Sequence, residues 1–280
     1  MKVVLFCGGQ GMRLRDYSQD VPKPLIELGS RPILWHLMKY YAHFGHREFV
    51  LCLGHGGSAI KNYFLRYEES VSNDFVLSEG GRRVELLHRD LEDWRITFVD
   101  TGPGSTVGER LRQVRPHLNG DDVFMANYAD ALTDLDLDAY LEYFERRNKI
   151  ASFVSVAPPH TFHIVHADAD DHVRRLEAVA SSAVRINGGF FVFRQRVFDY
   201  LRPGEELVVE PFARLIAERQ LLAHPFDGFW LNMDTFKDKQ RLDELLSRDE
   251  APWQVWRRCG RNGHELGEAR EHPTLLEQAR

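Results

Sequence analysis

Cysteine is scarce in this 280-residue chain. Cys7, Cys52 and Cys259 are the three present, and no two stand at the spacing of a thiolate metal site. So low and odd a count fits a reducing cytoplasm without structural disulfides, and a cytoplasmic protein is expected. No apolar run approaches the ~18 residues of a membrane span. Residues 1–6 are too short for the apolar core of a signal peptide. A surplus of positive charge is also missing: 36 Lys and Arg face 42 Asp and Glu, for a net charge of -6. That argues against broad binding of nucleic acid or anionic membrane, yet leaves room for a local basic pocket. There is no internal repeat and no flexible linker between domains.

What is present is alternation. VVLFC (3–7), EFVLCLG (48–54), ITFVDTG (96–102) and DVFMANYAD (122–130) read as buried strands. Between them RPILWHLMKYYAHFG (31–45), AIKNYFLRY (59–67) and GERLRQVRPHL (108–118) read as helices, and DLDAYLEYFERR (136–147) follows the fourth strand. Such alternation implies parallel strands with right-handed crossovers. After residue 150 the segments ASFVSVA, FHIVHAD, VRRLEAV and GGFFVF are strand-like with few helices between them, which suggests a mixed or antiparallel extension of the same sheet. Helices return at 210–219 and 235–247. The fold expected is α/β, a Rossmann-like doubly wound mixed sheet with a small C-terminal subdomain. In such a sheet ligands bind outside the carboxyl ends of the strands. That rule nominates CGGQGMRLR, LGHGG, DTGPGST and NYADAL as one rim.

Gly8, Gly9 and Gly11 let the backbone approach an anion and present N–H groups to it. A dinucleotide fingerprint needs a third glycine where Leu14 stands, and an acid about 20 residues on. A phosphate loop of the ATPase kind needs Gly-Lys-Ser/Thr, also absent. Instead Arg13 lies in the loop, and Lys23 follows between two prolines in VPKPL. Arg and Lys converging on such a nest suit a triphosphate whose charge is neutralised during transfer. The alternative is that both are ordinary surface charges in a turn-rich loop.

The stretch GGQGMRL…PKPLIELGSRPILWH strongly resembles the G-G-x-G-[TS]-R-L…P-K-P signature of sugar-1-phosphate nucleotidyltransferases. LCLGHGG, VDTGPGSTVGERLRQV, RINGGFFVF, GFWLNMDTFKDKQRLDELL and APWQVW each resemble segments of glucose-1-phosphate cytidylyltransferases. The likeness runs over roughly residues 1–256. It implies one nucleotidyltransferase domain there, with a nucleotide half of about 1–150, a sugar-phosphate half of about 151–256 and a polar tail, 257–280. It implies Mg²⁺-dependent attack of a sugar 1-phosphate on the α-phosphorus of an NTP, CTP favoured, with loss of pyrophosphate, in a homo-oligomer.

Carried over by position, the resemblance assigns Gly8, Gly9, Gly11 and Arg13 to the triphosphate. Met12 stands where a Thr or Ser hydroxyl is usual. Lys23 is assigned to the α-phosphate, so Arg13 and Lys23 are the catalytic candidates. Asp130 and Asp234 are assigned to Mg²⁺, although each could instead cap the helix that follows it. Arg110 is assigned to the nucleotide site, and His55 and Gly56 with Gly8 to the surroundings of the base. Asn187 and Gly188 are assigned to the sugar, along with Glu177 and His163.

Three departures fall on the sugar side. The family's G-D-G is Ala129-Asp130-Ala131 here, its F-G is Phe162-His163, and its E-K-P, whose lysine binds the sugar phosphate, is Glu177-Ala178-Val179. Losing that lysine removes a charge-assisted contact of about 1.5–3 kcal/mol. His163, His166 and Arg185 are the candidate replacements. The departures suggest the same transfer to a different acceptor, such as a modified hexose, a heptose or a cyclitol phosphate. A non-catalytic nucleotide-binding homologue is a further alternative.

Overall fold

The computed structural model describes residues 1–9, 21–91, 93–159 and 162–257. Gly11, Met12, Arg13 and the tail beyond Arg257 therefore lie outside the described residues. Strand β1 (Lys2–Phe6) is followed by a short pair, β2 (Glu27–Leu28) and β3 (Arg31–Pro32). Helix α1 (Ile33–His43) begins right after Pro32, which cannot continue a hydrogen-bonded turn but suits a helix entrance. Then come β4 (Glu48–Leu53), α2 (Gly57–Leu65), β5 (Phe75–Ser78), β6 (Arg83–Leu86), β7 (Arg95–Asp100) and α3 (Val107–Val114). They lead to β8 (Val123–Tyr128), β9 (Ala131–Thr133) and α4 (Leu137–Arg147).

The second half holds β10 (Ala151–Val156), β11 (His163–Ala167), β12 (Val173–Ala178), β13 (Ile186–Asn187) and β14 (Phe191–Arg194). It closes with α5 (Glu210–Ala217), β15 (Leu221–Phe226), β16 (Trp230–Asn232) and α6 (Phe236–Ser247).

One eight-stranded sheet carries the fold. β7, β4, β1 and β8 are parallel neighbours in that order. β14 joins β8 antiparallel, and β10 joins β14 antiparallel with β15 parallel on its other flank. Short β13 continues the line of β14 along β10. The chain runs outward from β1 to β4 and β7, then returns to place β8 on the other side of β1. That reversal opens a crevice at the carboxyl ends of β1 and β8.

Successive side chains of β1 enter opposite cores. Val3, Leu5 and Cys7 pack with α1, α4, Leu242 of α6 and Trp253. Val4 and Phe6 pack with α3 and α5. Burial on both faces explains why the parallel strands are continuously apolar instead of alternating.

Two ribbons depart from the sequence expectation. β5 and β6 form a separate hairpin, in a stretch to which the sequence reading assigns no element. β11 and β12 also pair only with each other, so FHIVHAD and VRRLEAV do not extend the main sheet as expected. The central strands of that sheet are buried on both faces. β12 carries Arg174, Arg175 and Glu177, and Val165 and Leu176 stay 59% and 61% exposed. β10, β13 and β14 do extend it. No helix among the described residues is long and apolar enough to cross a membrane.

Candidate active site

The crevice begins where β1 ends. Cys7 donates its amide to the Cys52 carbonyl at 3.0 Å, and the chain then leaves the sheet through Gly8. Arg110 passes beneath. Its guanidinium donates to the Gly8 carbonyl (3.0 Å), the Leu53 carbonyl (3.1 Å) and Thr101 Oγ1 (2.6 Å), and the residue is only 4% exposed. A β-carbon on Gly8 would collide with that guanidinium, so any larger residue would displace Arg110. Burial lowers the Arg110 pKa, but a guanidinium stays protonated in proteins. Arg110 is thus a strut under the loop, set one turn into α3, whose N-cap is the Thr106 hydroxyl.

Lys23 sits on a short turn, Lys23–Leu25, entered through Pro22 and stiffened by Pro24. Pro22 rests on Gly56, which adopts φ +71 and has no room for a β-carbon. The Lys23 ammonium reaches Asp130 Oδ2 at 2.5 Å and Asp234 Oδ1 at 2.6 Å, partners 107 and 211 residues away in sequence. Burial disfavours the ammonium, but the two carboxylates outweigh it and the Lys23 pKa is raised. The β9–β16 ribbon brings the two aspartates together: Asn232 pairs with Ala131, and the Met233 amide donates to the Asp130 carbonyl at 2.9 Å. Asn232 Nδ2 orients Asp234 through Oδ2 at 2.6 Å.

Neither aspartate caps the helix after it. Asp136 caps α4 by accepting from the Ala139 amide, and Thr235 caps α6 in a reciprocal box with Asp238. Among the described residues a cavity of about 390 Å³ is lined by Gly8, Gly9, Lys23, Pro103–Val107, Arg110, Tyr128, Asp130 and Glu206, with Phe6, Cys7, Pro24 and Ala129 completing its wall. Burial, with Glu206 and Asp130 nearby, pushes the Tyr128 hydroxyl up to about 12.

A nucleotidyl transferase family model matches residues 2–241. The chain belongs to the nucleotidyl transferase family. It is 35% identical over 257 residues to a glucose-1-phosphate cytidylyltransferase of Salmonella typhi, covering 91% of this chain and all of that one. A probable glucose-1-phosphate cytidylyltransferase of Bacillus subtilis is 34% identical over 258 residues, with the same coverage. Among solved structures, a putative glucose-1-phosphate thymidylyltransferase from Bacillus anthracis superposes with TM-score 0.65 at 17% identity, over 89% of this chain and 96% of that one. A UDP-glucose pyrophosphorylase reaches TM-score 0.65 at 11% identity, over 89% and 98%. These two likenesses show the shared Rossmann-like α/β fold.

In this nucleotidyltransferase the remaining expected site residues do not all converge. His55 is exposed and, like Gly56, does not line the cavity. Asn187 Oδ1 accepts from the Gly189 amide at 2.9 Å, and its side chain also meets the hydroxyl of Tyr128, a wall of the cavity. The Gly188 carbonyl is held by Trp230 Nε1 at 2.8 Å. His163 and Glu177 lie away from the cavity wall, on the β11–β12 ribbon. Glu177 binds His166 (3.3 Å) and Arg175 (3.2 Å), and His163 is directly across the strand pair from Ala178. Arg185 donates to Asp227 and to the carbonyls of Ser155 and Phe226, so it is already engaged. Sequence reasoning missed Tyr128, Asn232 and Glu206. The strand-end rule could have found Tyr128, beside Asp130, but nothing in GEELVVE marks Glu206 as facing a cavity.

Proposed function

We propose that this nucleotidyltransferase transfers the cytidylyl group of CTP to a sugar 1-phosphate and releases pyrophosphate, with glucose 1-phosphate as the reference acceptor. The observation that carries the reading is the meeting of Lys23, Asp130 and Asp234 beside the Gly8 loop at the strand-order reversal. Two anions must come together there, and charge grows on the departing pyrophosphate. Catalysis then comes from positioning and cationic stabilisation. The Gly8 loop presents backbone amides to the phosphates, and Lys23 supplies a fixed cation next to the reacting phosphorus.

The acid pair also fits a divalent metal. Two carboxylates converge on one point, where the Lys23 ammonium now stands as their cation, and such oxygen donors suit Mg²⁺. Asp130 and Asp234 would hold the ion, and Mg²⁺ would supply charge neutralisation on the phosphates. The test is a panel of CTP, UTP, dTTP, GTP and ATP against several phosphorylated acceptors, read by pyrophosphate release. CTP with glucose 1-phosphate is expected to lead, and no release with any pair overturns the reading.

A second reading keeps the reaction and changes the acceptor. It is favoured by Ala178 facing His163 on the outer ribbon, where no lysine stands. A homo-oligomer is supported by the β5–β6 hairpin, on which Phe75, Leu77, Val84 and Leu86 share one face by register, and the first three are exposed. Light scattering is expected to give more than the 32.5 kDa of one chain.

A further inference from the structure

The cavity holds one carboxylate that the chemistry above does not use. Glu206 lies between β14 and α5, half-buried against the cavity. Its backbone is fixed: its amide donates to Glu210 Oε2 at 3.1 Å, and Thr106 Oγ1 donates to the carbonyl of neighbouring Glu205 at 2.7 Å. The two consecutive glutamates have different employment. Glu205 pairs with Arg214. Glu206 has no cation within 4 Å among the described residues, and its oxygens accept only long bonds from the Leu207 amide (3.2 Å) and the Val107 amide (3.4 Å). Lone pairs remain free on a group that faces the cavity.

A carboxylate with no cation beside it is repelled by a triphosphate. The cation and the glycine amides stand at Lys23 and Gly8. Glu206 therefore faces the uncharged part of the nucleotide. Ionised, it can only accept hydrogen bonds. CTP and UTP differ along one edge of the base: at C4 cytosine carries an amino donor and uracil a carbonyl acceptor, and at N3 cytosine accepts where uracil donates. Asp130, the other acid of the cavity wall, is held by Lys23. Three of the Arg110 donor bonds go to Gly8, Leu53 and Thr101. Glu206 is left as the anionic acceptor for a base amino group.

We propose that Glu206 reads the base, accepting from the exocyclic amino group of cytosine and repelling the carbonyl of uracil. The assignment rests on the CTP reading above. It makes Glu206 an element of selection against a competitor as well as of attraction.

The experiment measures kcat/KM for CTP, dCTP and UTP, with Mg²⁺ and glucose 1-phosphate, on the full-length wild type, Glu206→Gln and Glu206→Ala. Melting curves accompany each protein. The Glu206→Gln side chain keeps the shape, loses the charge and can turn a donor toward a carbonyl. Its kcat/KM for CTP is expected to fall about 10- to 100-fold, chiefly through KM, the range of one hydrogen bond to a charged group. UTP turnover is expected to rise, and dCTP to fall as CTP does. Glu206→Ala should lose CTP preference without gaining UTP. A CTP:UTP ratio unchanged in both variants overturns the assignment, as does a loss seen with CTP but not dCTP, which would place Glu206 on the ribose. A wild type that uses UTP as well as CTP overturns the CTP reading and this assignment together. A wild-type preference for CTP that survives Glu206→Gln overturns only the assignment.

Discussion

The crevice between β1 and β8 and the β11–β12 ribbon are built on opposite terms. In the crevice the cations are tied to distant parts of the chain: Arg110 to Gly8, and Lys23 to Asp130 and Asp234. The ribbon pairs with itself, exposes Val165 and Leu176, and spends its charges on one another, as in His166–Glu177 and Arg174–Asp168. A change in the crevice disturbs several elements at once, whereas a change in the ribbon stays local. Two altered family positions, His163 and Ala178, fall on the ribbon; in the crevice Ala129 and Ala131 also depart, yet Lys23, Asp130 and Asp234 keep the pattern.

The contrast can be broken most severely at Lys23. Lys23→Met removes the fixed cation and leaves two carboxylates facing each other. Its kcat is expected to fall about 10²- to 10³-fold, measured by pyrophosphate release under saturating substrates. A loss below tenfold would mean that the crevice does not carry the reaction. Arg110→Met comes next. It leaves the buried Gly8 carbonyl without its donor, at a cost of about 1–3 kcal/mol, while the Leu53 carbonyl keeps the Thr101 amide and hydroxyl. We expect about 1–3 kcal/mol of lost stability in denaturant titration, together with a raised KM for the nucleotide. Unchanged stability would show that Arg110 is no strut.

The smallest effect belongs to the ribbon. Ala178→Lys restores the family's cation across from His163, and the KM for glucose 1-phosphate is expected to fall about tenfold, the value of a charge-assisted contact, with kcat nearly unchanged. No change in KM would separate this ribbon from acceptor binding.

A pH titration probes the core beneath both regions. His36 is buried, its Nε2 3.0 Å from the Leu28 carbonyl and its ring edge-on to Trp253. Burial lowers its pKa from the ordinary 6.5 to about 4. A depressed histidine favours the fold fully above pH 6.5, and that contribution drains away as pH falls toward 4. The loss is about 3 kcal/mol for a shift of this size. Denaturant titrations of wild type and His36→Gln between pH 7 and 4 should differ in slope, and parallel curves would refute this origin.

Much of the fold was legible because parallel strands buried on both faces read as unbroken apolar runs, as in EFVLCLG. The β5–β6 hairpin was not, since FVLS and RVEL are short, exposed and joined by a glycine turn. At the site, Lys23 stood out between its prolines. Asp130 and Asp234 needed the family likeness, because an aspartate before a helix reads equally well as a cap. The structural place of Arg110 was hidden: inside GERLRQV it looks like any solvated helix charge, and only the return of β1 and β4 over it creates its acceptors. Glu206 was hidden for the converse reason, since an acid in GEELVVE reads as surface.

The two helix entrances beside the site each carry adjacent groups with separate employments. Asp136 and Thr235 hold the helices; Asp130, six residues before the first, and Asp234, directly before the second, hold none. Asp130 and Asp234 are therefore separate from the groups that cap the neighbouring helices. A lineage could discard one by a single base change and keep a folded, nucleotide-binding scaffold.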